Sequence, residues 1–185
     1  MKPANVQDDH LLMSASLSEI IAHVVGVHHA FVRDQTQSID QHIRELMISN
    51  VGNTRIAELH QLHQTLASEI AVHIRKEEDV LFPAIISLEK ASELKAANAN
   101  LLPFKMSSRI RLLMLEDEGT KYLLSHFIKG VTAFHPPPHA EPAYKKLLAA
   151  IEIFESDLKR HIHVENNILF PKAMMVEEEL LKTTN

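Results

Sequence analysis

Two segments of this 185-residue chain repeat one arrangement of potential metal ligands. His73-Ile-Arg-Lys-Glu77-Glu-Asp-Val-Leu-Phe-Pro83 and His161-Ile-His-Val-Glu165-Asn-Asn-Ile-Leu-Phe-Pro171 share six of eleven positions at an offset of 88 residues. On a helix, residues i and i+4 lie on one face. His73 therefore stands over Glu77, and His161 over Glu165. Each pair offers a neutral imidazole and a carboxylate to one point, and two such pairs facing each other suit a two-metal site with bridging carboxylates. The Leu-Phe-Pro that closes both copies is an apolar helix end expected to pack inward.

Two imidazoles and two carboxylates leave two metals short of ligands. His29 precedes His73 by 44 residues, and the same step back from His161 reaches Asp117. The step also pairs Arg33 with Lys121. His29 and Asp117 are both ligand types, so the expected set is His29, His73, Glu77, Asp117, His161 and Glu165, with Glu77 and Glu165 bridging. The Glu-x-x-His of ferritin-like carboxylate proteins and the His-Glu-x-x-His of zincins are both absent from the sequence.

Composition agrees with nitrogen and oxygen ligation. The chain has 13 histidines and no cysteine, which excludes disulfides, zinc–thiolate sites, cluster ligation by its own thiols and a cysteine nucleophile. Imidazole with carboxylate suits iron better than calcium or magnesium. Only 4 glycines argue against a β-sandwich, a Rossmann unit or a P-loop. The net charge of −5 argues against nucleic acid as a partner. No apolar run reaches the roughly 18 residues of a membrane span. Met1–His10 is polar and shows no secretory signal, so a cytoplasmic protein is expected.

Four long helices must position these residues. The first runs from about Leu17 to about Ile48, opened by a capping box at Ser16 and Glu19. Asn50-Val-Gly-Asn53 ends it and caps the second, from about Thr54 to about Leu88, whose apolar stripe includes Ile56, Leu59, His63, Leu66, Ile70, Ile74 and Val80. Pro83 is expected to kink or terminate that helix. The third runs from about Met106 to about Ala133, and the fourth from about Glu141 to about Val176 after the stiff turn His135-Pro-Pro-Pro-His139. The long connection Glu89–Lys105 reads as the joint between two copies of a helical hairpin, about 17–88 and 106–176. The expected fold is one all-α domain over 1–185, an up-down-up-down four-helix bundle.

These motifs resemble the hemerythrin HHE cation-binding family, and within it the di-iron proteins that repair iron centres. Val27-His28-His29, His73 to Pro83, Glu116-Asp117-Glu118 and His161 to Pro171 follow the family's order of motifs. The last is the most specific. The resemblance covers roughly residues 17–175 and implies a hemerythrin-like bundle holding two non-haem iron ions, oxo- or hydroxo-bridged. Where the family has Glu-His-Asp, this chain has Glu116-Asp117-Glu118, so a carboxylate is expected in place of one imidazole. The cysteine-bearing N-terminal domain common in the repair proteins is expected to be lacking.

Of the adjacent His28 and His29, the second is expected to ligate, because of the 44-residue step and because Arg33 copies the family's basic residue. His63 is expected to pack in the core, with a ligand or channel role as the alternative. His60, His126, His163, His135 and His139 are expected at the surface, and Met114 and Met174 as core filling. Glu69 and Asp157, each four residues before a repeat histidine, are expected either to support an imidazole or to be solvated. The resemblance implies iron-centre maintenance or repair under oxidative or nitrosative stress, with an iron-sulfur protein or redox partner. The alternatives are a module that senses or stores O2, NO or iron, and a di-iron enzyme that reduces NO or peroxide.

Overall fold

The computed structural model describes residues 6–94 and 105–183. Among them the chain is all helical, with no strand. A short helix α1 (Val6–Ser14) precedes four long rods. The first rod is α2 (Leu17–His23), a π-helical turn Val24–His29 and α3 (Ala30–Ser49). The second is α4 (Thr54–Lys76), a π turn Glu77–Leu81 and α5 (Phe82–Glu93). The third is α6 (Met106–Thr132), uninterrupted, and the fourth is α7 (Glu141–Val164), a π turn Glu165–Leu169 and α8 (Phe170–Thr183). Most of the expected joint Glu89–Lys105 lies outside the described residues; its first part extends α5 to Glu93.

The local signals act as their chemistry requires. The Ser16 hydroxyl accepts from the Glu19 amide while the Glu19 carboxylate accepts from the Ser16 amide. Asn53 caps α4 through the Arg55 amide at 3.0 Å. Gly52 stands at φ 84° in the turn between the first two rods, a left-handed conformation that glycine adopts without a Cβ penalty.

Pro83 does not end its rod, which runs on to Glu93. It sits in the first turn of α5, directly after a π turn, a position where proline's missing N–H is tolerated. Pro171 holds the matching place in α8. The π turn also shifts the helical phase by its extra residue. Val80, expected in the apolar stripe, is 39% exposed, whereas Leu81 beside it is fully buried.

α3 packs against α4 and α7, and α6 packs against the same two helices, forming a bundle. Its apolar interior falls into two clusters. One gathers Val32 to Leu46, Ile56 to Ile74, Leu124 to Val131 and Leu147 to Ile162. The other gathers Leu17 to Val24, Leu81 to Leu88, Met106 to Leu113 and Val164 to Ala173. Along successive rods the chain passes from the second cluster to the first, back, and again. At each crossing it carries buried polar residues: His29, then His73 and Glu77, then Asp117, then His161 and Glu165. No helix among the described residues is long and apolar enough to cross a membrane.

Candidate metal centre

The π turns place the site. Glu77 and Glu165 each open one, and His29 closes another. π turns recur at functional sites because the extra residue re-aims side chains within a continuous helix. Here both His28 and His29 are turned inward, at 3% and 0% exposure, although they are neighbours in sequence.

All six expected residues are buried and converge between the two apolar clusters. His29 Nε2 lies 3.1 Å from His161 Nε2, 3.4 Å from Glu77 Oε2 and 3.7 Å from Glu165 Oε1. His161 Nε2 lies 3.0 Å from Glu165 Oε1. His73 Nε2 lies 3.2 Å from Glu77 Oε1 and 3.2 Å from Asp117 Oδ1. Two overlapping groups could each hold a metal ion: His29, Glu77, His161 and Glu165 on one side, and His73, Asp117 and Glu165 on the other.

The histidine–carboxylate contacts are close enough for ion pairs, but the glutamates accept no hydrogen bond. All four carboxylate oxygens of Glu77 and Glu165 are buried without a hydrogen bond, as is His73 Nε2. Unpaired buried carboxylates are costly unless a cation compensates them. Donors bound cis to one ion at about 2.1 Å stand about 3 Å apart, which is the spacing seen here. The nitrogen and oxygen donor set fits first-row metals such as iron.

Protons compete for the same atoms. Burial opposes charge on His29, but Glu165 and Glu77 outweigh it and push its pKa up to about 9. Burial likewise opposes charge on His73, and Asp117 with Glu77 pushes it up to about 11. His161 is raised against burial by Glu165 and Glu77. Glu165 is held below the usual carboxylate range, since His161 and His29 outweigh its burial. Metal binds the neutral imidazoles, so loading the cage must expel the protons that the raised histidines hold.

Around the cage stand residues that the spacing argument left unassigned. Glu78 accepts from His29 Nδ1 at 2.7 Å and from the Arg33 guanidinium at 2.7 Å. Glu116 lies 3.3 Å from His73 Nδ1 and accepts from Lys76 at 2.7 Å. Asn166 Nδ2 donates to Asp117 Oδ2 at 2.8 Å. The available signal was position: Glu78 and Asn166 each directly follow a repeat glutamate.

His28 lies outside both groups. It bonds Asp157 at 3.1 Å and stacks on His161, with centroids 5.7 Å apart. Asp157 is thus a buried support for a histidine, whereas Glu69 is exposed. Glu118 is exposed and bonded to Lys121, so Asp117 is the carboxylate that faces the cage. His63 lies in the core against Phe127, with neither ring nitrogen hydrogen-bonded and Nδ1 4.0 Å from Asp40. Met114 and Met174 pack on the second apolar cluster. His126, His135 and His139 are exposed. His60 and His163 are half-buried, held by Asp40 and Asp9 rather than solvated.

The fold and the cage define a helical bundle with a buried histidine and carboxylate cluster able to hold metal. Sequence comparison is more specific. The chain is 33% identical over 168 residues to the "Probable iron-sulfur cluster repair protein" of Haemophilus influenzae, covering 87% of this chain and 67% of that one. It is 29% identical over 169 residues to the iron-sulfur cluster repair protein YtfE of Escherichia coli O157:H7, covering 89% and 69%. No family model matches the chain. The chain belongs to the family of iron-sulfur cluster repair proteins.

Proposed function

We propose that the protein holds two non-haem iron ions and serves in the repair or maintenance of iron centres under oxidative or nitrosative stress. His29 and His161 bind one iron, His73 and Asp117 bind the other, and Glu77 and Glu165 bridge them. The observation that carries this reading is the convergence of six buried ligand residues into two overlapping groups, with neighbouring ligand atoms 3.0 to 3.7 Å apart and the carboxylates of both glutamates lacking any hydrogen bond. The names of the relatives supply the direction toward iron-sulfur clusters.

The bundle is read as one hemerythrin-like domain over 1–185, up-down-up-down and built from a duplicated hairpin. Matching π turns at an offset of 88 residues support the duplication. The alternation of the two apolar clusters along successive rods supports the topology.

Bound iron supplies one-electron redox chemistry and open coordination positions for O2, NO or peroxide. The chain's own residues do the rest. Glu78 and Glu116 orient His29 and His73, and the flanking clusters exclude water on both sides. The protein partner is an iron-sulfur protein with a damaged cluster, and the location is the cytoplasm.

Anaerobic iron loading tests the centre: two irons per chain are expected, and one tightly bound zinc or no metal would overturn it. Incubation with a damaged iron-sulfur protein tests the role: the loaded protein is expected to restore its cluster. Steady turnover of NO or peroxide under reductant, without cluster restoration, would favour the enzyme reading instead.

A further inference from the structure

The offset of 88 residues relates supporting residues as well as ligands. His29 corresponds to Asp117, and Glu78 corresponds to Asn166. Glu78 and Asn166 are each the second residue of a π turn, and each bonds the residue that corresponds across the repeat. The two contacts run in opposite directions. His29 presents Nε2 to the cage, so its Nδ1 carries the hydrogen and needs an acceptor, which Glu78 provides. Asp117 is ionised when it binds metal and can only accept, so it needs a donor, which the Asn166 amide provides.

We propose that Asn166 is the positioning residue for Asp117 and decides which residue type can stand there. By holding Oδ2 at 2.8 Å it leaves Oδ1 facing His73 Nε2 at 3.2 Å. A carboxylate at 166 would confront Asp117 with a second acceptor. An amide is the permissive choice: turned over, its oxygen accepts from an imidazole Nδ1–H. Position 78 is selective instead, because a carboxylate accepts and cannot donate. One half of the repeat is therefore restricted to a histidine, and the other admits either an aspartate or a histidine.

The inference rests on the di-iron reading above, and the test separates the two. Iron content, reduction potential and metal-free melting are measured for the wild type, Asn166→Asp, Asp117→His and the double variant. Asn166→Asp is expected to weaken one iron roughly tenfold or more. At a pH where both carboxylates are ionised, its metal-free melting temperature is expected to fall by roughly 5 °C. Asp117→His is expected to keep both irons. The double variant is expected to regain both irons and the lost melting temperature, since an aspartate then accepts from an imidazole. Asn166→Leu, which removes the donor without adding charge, covers a failure of Asn166→Asp to fold and is also expected to weaken one iron. Asn166→Asp equal to wild type in both measurements, or a double variant no better than Asn166→Asp, would overturn the inference. If the wild type takes up no iron, the di-iron reading fails, and the melting series alone decides the pairing.

Discussion

The two ends of the cage come from matching positions of one repeat and differ in charge. At one end, His29 and His161 bring two imidazole nitrogens within 3.1 Å. At the other, His73 shares its space with the carboxylate of Asp117 at 3.2 Å. The surroundings differ as well. Glu116 lies beside His73 Nδ1, whereas the residue that corresponds to it, His28, stacks on His161 and bonds Asp157. The π turns of the second and fourth rods match across the repeat, whereas the first rod's π turn has no counterpart in α6. The side chains have diverged, and His29 and Asp117 each have a partner of fitting hydrogen-bonding type. Two irons held there would be chemically unequal.

The strongest way to break this comparison is to remove what the two ends share. Glu77 contacts histidines at both ends, and Glu165 belongs to both groups. Glu77→Ala and Glu165→Ala are each expected to lose most of both irons, while Glu69→Ala and Glu78→Ala keep more. Iron per chain measures this, and equal content in all four variants would mean that the faces are wrongly assigned.

The next effect concerns one end only. Asp117→Ala is expected to lose about one iron of two, since a cage missing one of its donors binds that metal far more weakly. Asp117→His is expected to retain both and to raise the reduction potential, because a neutral donor replaces an anionic one that favours the ferric state. Glu118→Ala is expected to change neither. Metal analysis with redox titration decides, and loss of iron from Glu118→Ala alone would shift the site by one residue.

Protons should sharpen the comparison more gently. A histidine with a raised pKa stabilises the metal-free fold fully below about pH 6.5, its unfolded value. That contribution is lost as pH rises through about 9 for His29 and about 11 for His73. Metal needs these rings neutral. The gain in melting temperature on iron loading is therefore expected to grow from about pH 6.5 to about pH 9. A gain independent of pH would mean that the raised histidines do not meet the metal.

The smallest effect on the cage is expected from His63, a buried histidine in the opposite setting. Burial among apolar residues, only partly offset by Asp40, pushes it down to about 4. Its neutral form is compatible with the fold above about pH 6.5, and stability is lost as pH falls toward 4, by about 3 kcal/mol. His63→Leu is expected to leave iron content unchanged and to remove that acid sensitivity. Denaturant titration at several pH values checks it, and loss of iron would place His63 in the centre after all.

The sequence by itself determined the helices, the caps at Ser16 and Asn53, and the four residues His73, Glu77, His161 and Glu165 as two facing pairs. These are local matters: spacing along one helix fixes which side chains share a face, and the repeat shows it twice. His29 and Asp117 also followed from the repeat, because duplication carries position across the chain. The tertiary structure decided what depends on contact between rods or on helical phase. The π turns were hidden because the period of 3.6 assumes an unbroken helix. One extra residue turned Val80 outward and both His28 and His29 inward. Leu-Phe-Pro marked the turns in two of the three cases, through a proline that should have broken the helix. The pairing of Asn166 with Asp117, of Glu78 with His29 and of Asp157 with His28 spans 49 to 129 residues. Such pairs have no signature in spacing, because the distance between two rods is set by how their apolar faces pack.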